Sequence, residues 1–178
     1  MFTSLTVAPL MLAANPYNLN ESIIGVTYIP VGIAMLMGPM VGGYLSDKAA
    51  EIDPTKPINR VTYSFYFLIF EGLATIGFGY LLENGIHLAA VLICQFLLGF
   101  GQSVSMIIFS SYFQSARPEN RGSAGALMMF LCFGGAAVLV SISVEISNAI
   151  GLGNFFVIFV GLLFLASGWG YASLKIHQ

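Results

Sequence analysis

Residues 86–113 read IHLAAVLICQFLLGFGQSVSMIIFSSYF, and no Asp, Glu, Lys or Arg interrupts them. A helix that crosses the hydrocarbon core of a bilayer needs about 20 mainly apolar residues. This stretch exceeds that length, and its reading as a membrane-spanning helix decides the fold class.

Working outward, four further stretches of the same kind flank it: Ile23–Leu45, Val61–Leu82, Ala124–Ile146 and Gly153–Leu174. Before them lies Met1–Ala14, apolar but short, ending at the turn-like Asn15-Pro16-Tyr17-Asn18. It is read as a sixth helix without its beginning. A secretory signal is the rival reading, and the lack of any Lys or Arg ahead of the apolar run speaks against it. The expectation is an all-α membrane protein, one transmembrane domain over residues 1–178. Its helices fall at about 1–15, 23–45, 61–82, 86–113, 124–146 and 153–174, with cytoplasmic loops at 46–60 and 114–123.

Composition agrees with this reading. Apolar residues make up 57% of the chain and charged residues 8%, against roughly a quarter charged in a soluble domain. So few charges cannot cover a soluble surface, and the mean hydropathy of +0.87 belongs to the whole chain. The net charge of -2 provides no basic stripe to neutralise phosphates, so nucleic acid is not an expected partner. Cys94 and Cys132 sit inside apolar runs, as small hydrophobes rather than disulfide or metal ligands. There is no HExxH, no GxxxxGK[ST] and no nucleophile elbow. Neither catalytic residues, a metal nor a cofactor is therefore expected, and the chain is not read as an enzyme.

The basic residues test the helix count independently, because cytoplasmic connections retain Lys and Arg. Lys48, Lys56 and Arg60 lie between the second and third spans, Arg117 and Arg121 between the fourth and fifth, and Lys175 after the sixth. The alternate connections, around 15–22, 83–86 and 147–152, hold none. Six spans put all six basic residues on one side and both termini in the cytoplasm. Pro54, Pro57, Pro118, Gly151 and Gly153 fall between spans, as turn formers should. Asn20-Glu21-Ser22 fits a glycosylation sequon but lies too close to the membrane to expect its use.

Helices in lipid approach through small residues, since hydrocarbon gives no hydrophobic drive between them. Gly38 and Gly42 form such a step in the second span, Gly99 and Ser103 another in the fourth, and Gly134, Gly135, Ala136 and Ala137 a patch in the fifth. All are read as helix-packing positions. Gly77-Phe78-Gly79 and Gly99-Phe100-Gly101 lack the third glycine and preceding strand of a dinucleotide site.

An ionisable group in mid-bilayer costs about 2.5–3.5 kcal/mol on insertion scales and asks for a reason. Glu71, near the centre of the third span, is the clear case. Two readings stay open: a carboxyl that takes up and releases a proton as access alternates, or a protonated Glu bonded to a neighbouring hydroxyl or carbonyl. In the fourth span Gln95, Gly99, Gln102, Met106, Phe109 and Phe113 follow helical spacing. Gln95, Gln102, Met106 and Phe109 are candidates to line a cavity for amphipathic solutes. The alternative is glutamine as interhelical hydrogen-bond glue. Glu83, His87 and Glu145 lie at span ends, within reach of water.

At the end of the second span the chain reads Gly42-Gly43-Tyr44-Leu45-Ser46-Asp47-Lys48 and resembles the major facilitator superfamily. That family's loop signature, Gly-x-Leu-Ala-Asp-Arg-x-Gly-Arg-Lys, maps onto Gly43, Leu45, Asp47 and Lys48. Its closing Gly-Arg-Lys is replaced by Ala50, Glu51 and Ile52. Tyr28-Ile29-Pro30-Val31-Gly32-Ile33 is similar to the opening of helix eight in proton-coupled exporters of the superfamily. Residues 117–124, RPENRGSA, resemble the loop between helices ten and eleven.

The resemblance implies an alternating-access transporter of twelve helices, with this chain as helices seven to twelve of drug/proton antiporter-like members. A missing N-terminal six-helix half, the lipid bilayer and a small organic solute are the implied partners. The family pattern has the first and fourth spans lining the cavity, which supports Gln95 and Gln102. It sets the third span on the outside of the bundle, against a role for Glu71, and Asp47 at a cytoplasmic gate. The implied function is secondary active transport, as proton-coupled export. The rival is a non-transporting membrane scaffold or a partner-dependent truncated half.

Overall fold

The computed structural model describes residues 2–14, 16–52, 58–116 and 118–176. Asn15, Pro54, Lys56, Pro57 and Arg117, used above as loop and charge markers, lie outside the described residues. The described chain holds seven α-helices, with no strand among the described residues: α1 (Phe2–Ala13), α2 (Glu21–Val26), α3 (Ile29–Ile52), α4 (Ile58–Glu83), α5 (Leu88–Ala116), α6 (Arg121–Ile150) and α7 (Leu152–Ile176). A 3-10 turn at Pro118–Asn120 joins α5 to α6. Five apolar columns among the described residues are long enough to cross a bilayer, and α1 is a shorter apolar helix. The chain is an all-α, multi-pass integral membrane protein.

The second expected span, 23–45, differs from the structure at both ends. It begins with α2, where Asn20 Oδ1 accepts the Ile23 N–H at 2.9 Å, so the sequon asparagine is a helix cap. The column then breaks at Thr27–Tyr28, because Pro30 has no N–H to offer the Val26 carbonyl four residues back. At the far end α3 runs on to Ile52. Gly43, Leu45, Asp47 and Lys48 are therefore helical, and the expected loop 46–60 is shorter. Lys48, Ala49, Ala50 and Glu51 are strong helix formers, and the next proline is Pro54. The expected loop 114–123 shrinks likewise, since α5 reaches Ala116 and α6 starts at Arg121.

Helix α5 is the centre of the bundle. About half of its most apolar stretch is buried, more than in any other span among the described residues. The small-residue steps of α3 and α5 face one another, as expected of packing positions. A Cβ on Gly38 would lie 2.3 Å from Ser103 Cβ, one on Gly42 2.9 Å from the Val104 carbonyl oxygen, and one on Gly99 2.5 Å from Val31 Cγ2. On its other flank α5 takes α4, where a Cβ on Gly101 would lie 3.1 Å from Glu71 Cβ. Helix α7 closes on α4 through Gly72 and Gly79, whose missing side chains make room for Phe164 and Phe156. Phe78, Phe156, Leu12, Leu82 and Val91 form the core between α1, α4, α5 and α7.

The patch on α6 departs from expectation. Gly134, Gly135 and Ala137 are exposed, and a Cβ on either glycine would meet open space. No described helix covers that face, because α6 packs only along the edge of the bundle and is the least buried of the five long spans among the described residues.

Contacts between helix ends define the two ends of the bundle. At one, Arg60 Nη1 donates to Ser46 Oγ at 3.3 Å, and the Thr62 and Tyr171 hydroxyls pair at 3.1 Å. Lys48, Arg60 and Arg121 share this basic end. At the other, the Tyr17 hydroxyl donates to the Ile86 carbonyl, tying the α1–α2 connection to the α4–α5 turn. Burial pushes the Tyr17 pKa up from its ordinary value, which keeps the hydroxyl a donor across the physiological range.

Candidate solute site in the helix bundle

Along α4 the buried residues Val61, Ser64, Glu71, Ala74, Thr75, Phe78 and Leu82 recur at helical spacing, while Tyr66, Ile69, Leu73 and Tyr80 on the other face are exposed. Glu71 thus turns into the bundle. Gly101 of α5 allows the close approach that covers it from one side, and Phe164 packs against the adjacent Gly72. Glu71 is 9% exposed. Thr75 Oγ1 donates to the Glu71 backbone carbonyl at 2.8 Å, which holds the hydroxyl on the same face.

Glu71 borders a cavity of about 290 Å³ together with Thr75, Gln102 of α5 and Ser4 of α1. Phe156, Phe159 and Phe164 of α7 form an aromatic wall, and α6 contributes Leu131, Cys132, Gly135 and Leu139. The volume matches the lower end of small-molecule sites, about 300–1,000 Å³, and the lining matches their pattern of an apolar body with a few polar groups. Ser4 Oγ is buried on this wall with no hydrogen-bond partner among the described residues.

Of the four cavity candidates in α5, the structure brings only Gln102 to this wall. Gln95 is 2% exposed, and its Nε2 has no partner among the described residues. Met106 and Phe109 are half-buried away from the cavity. Glu71 and Gln102, which the family pattern set apart, meet at one cavity. The signal that could have joined them is the period of Ser64, Glu71, Thr75 and Phe78 along α4, read together with Gly101.

The loop-signature residues lie elsewhere, on the last turns of α3. Asp47 and Lys48 are exposed, Lys48 Nζ sits 6.0 Å from the centre of the Tyr44 ring, Leu45 is half-buried, and Gly43 has open space where a side chain would go. Among the described residues no group of three or more His, Cys, Asp or Glu could hold a metal ion.

The sequence pattern of the Major Facilitator Superfamily matches residues 1–141, and the chain belongs to that family. It is 27% identical over 137 residues to a protein named dityrosine transporter 1 of Saccharomyces cerevisiae, covering 73% of this chain and 24% of that protein. It is 25% identical to the MFS antiporter QDR1 of Candida albicans (91% of this chain, 35% of that protein). A multidrug transporter of Candida glabrata is likewise 25% identical (93% and 32%). The chain thus spans about a quarter to a third of the length of these relatives. No solved structure matches it.

Proposed function

We propose that the chain is part of a secondary active transporter that moves a small organic solute by alternating access, coupled to protons in the direction of export. The observation that carries this reading is the meeting of Glu71 and Gln102 on one cavity in mid-span. A carboxyl in that setting exchanges a proton when the cavity opens to water, and the carboxamide orients the solute by hydrogen bonding. The names of the matched relatives, a dityrosine transporter, an antiporter and a multidrug transporter, support transport of organic compounds.

In this reading residues 1–178 act as one transmembrane unit resembling helices seven to twelve. A complementary six-helix half supplies the opposite wall of the path. The basic end, with Lys48, Arg60 and Arg121, faces the cytoplasm, as does each terminus. Asp47 at that end sits at the cytoplasmic gate, where its contacts to neighbouring helix ends stabilise one of the two access states.

Reconstitution with the complementary half in vesicles under an imposed pH gradient tests the proposal. Solute accumulation that collapses when a protonophore dissipates the gradient is the expected result. Accumulation indifferent to the gradient would remove proton coupling, and none under any gradient would remove transport.

A further inference from the structure

A second cavity, of about 270 Å³, lies at the end of the bundle opposite the basic one, between α1, α6 and the turn that joins α6 to α7. Its polar residues sit at the rim: Glu83 is the last residue of α4, and Ser147, Asn148 and Gly151 surround the end of α6. Its floor is apolar. Val7 and Val144 stand six positions before the ends of α1 and α6, about 9 Å below the rim, and Leu10 and Met11 lie between. Leu10 and Asn148 are exposed, so the cavity opens sideways between α1 and α6.

We propose that this cavity takes the hydroxyl end of a sterol, a lipid with one small hydrogen-bond donor on a rigid apolar body, which enters from the bilayer between α1 and α6. The site is independent of the solute path at Glu71.

The rim selects the head group. Glu83 Oε2 already accepts the Gly153 N–H at 2.7 Å, and Oε1 lies over Gly151, where a Cβ would fall 2.5 Å from it. Ser147 Oγ has its proton on the Val144 carbonyl at 3.0 Å. Both oxygens are left as acceptors, so the ligand must donate. A hydroxyl donates without bringing charge, and none is needed, because the Glu83 carboxylate rests on the positive end of α7. A phospholipid head would bring a phosphate, which finds no Lys or Arg at this end among the described residues. Lys48, Arg60 and Arg121 are at the far end, and His87 Nδ1 accepts the Ala89 N–H at 3.3 Å. The positive amino terminus acts on Glu71, twelve positions along α4 from Glu83, about 18 Å off.

The floor selects the body. Fused rings are rigid before binding, and they fill a slot walled by aliphatic side chains without the entropy that an acyl chain loses on being ordered. The rim lies at helix ends, where hydrocarbon gives way to water, which is the depth of a membrane-bound hydroxyl. At about 270 Å³ the cavity holds the hydroxyl-bearing rings, and the tail stays among the lipids.

The test uses the full chain in phosphatidylcholine vesicles that contain a sterol with a photoactivatable diazirine in its ring system. Irradiation should place the label on residues 7–11 and 144–148, read by mass spectrometry of the peptides, and unlabelled sterol should compete it away. The sterol 3-methyl ether keeps the body and loses the donor, and it should compete about tenfold more weakly. Val144→Phe, which fills the floor and leaves the Glu83 carboxylate in place, should lose the labelling while circular dichroism shows it folded. The comparison of sterol with ether needs no variant, so it decides the matter even if Val144→Phe fails to fold. Equal competition by the ether, unchanged labelling of a folded Val144→Phe, label spread along all the lipid-facing helices, or displacement by phosphatidylethanolamine in place of sterol would each overturn the proposal.

Discussion

The Tyr28 hydroxyl donates to the Leu5 carbonyl at 2.7 Å, and Leu5 is the residue four positions before Pro9. In an unbroken helix the N–H of residue 9 would occupy that carbonyl, but proline has none. In lipid no water replaces it. Tyr28, at the break between α2 and α3, thus completes the hydrogen bonding of α1 and fixes α1 against the next span.

Replacing Tyr28 by Phe should destabilise the bundle by about 1–2 kcal/mol. The decisive comparison is Pro9→Ala, which restores the missing N–H: in that background the loss on Tyr28→Phe should shrink by half or more. Reversible unfolding in micelles of the four proteins measures both values, and an equal loss in both backgrounds would sever the link to Pro9.

Small-residue positions should divide into two classes. At Gly38 a methyl would fall 2.3 Å from Ser103 Cβ, so Gly38→Ala must push α3 off α5 and should destabilise by about 1–3 kcal/mol. Gly134→Ala meets open space and should leave stability unchanged or raise it by up to about 1 kcal/mol through helix propensity. Melting temperatures of the two variants in one detergent check the contrast. Equal losses would refute the packing described for α3 and α5.

The start of α7 is held from α4. Glu83 Oε2 accepts the Gly153 N–H at 2.7 Å, a carboxylate at a helix N-terminus where the helix dipole favours it. Removing it in Glu83→Ala should loosen the first turn of α7 at a loss of about 1 kcal/mol. Gly151→Ala should do more damage, because Gly151 has φ +85° and its Cβ would lie 2.5 Å from Glu83 Oε1. In the double variant the clash vanishes, so its loss should be smaller than the sum of the two single losses. Hydrogen exchange at the Gly153–Phe155 amides reads the effect directly, and strict additivity would contradict the geometry.

Much of the fold is legible in the sequence because a bilayer leaves few options. Long uncharged runs must be helices, and five of those among the described residues are long enough to cross a bilayer. The facing steps of Gly38 and Gly42 on Gly99 and Ser103 are also readable, since small residues four apart mark a close approach. Contacts between distant residues are less so. Nothing in the spacing pairs Glu83 with Gly153, seventy positions away, or Tyr28 with Leu5. The exposed patch at Gly134 and Gly135 has the composition of an interface, but composition does not say what covers it. Glu71 and Gln102 each stood out as polar residues in apolar spans. That they border one cavity depends on the rotation of α4 about its axis, which is set by Gly101, Gly72 and the Phe side chains of α7.

The central claim is that Glu71 exchanges the coupling proton at the solute cavity. Its most direct test is transport by the reconstituted protein at a series of imposed pH gradients, wild type against Glu71→Gln, with helical content and melting temperature verifying the variant's fold. The account predicts that the substitution abolishes the response to the gradient, while Glu71→Asp keeps it. A folded Glu71→Gln protein whose transport retains its full pH dependence would contradict it.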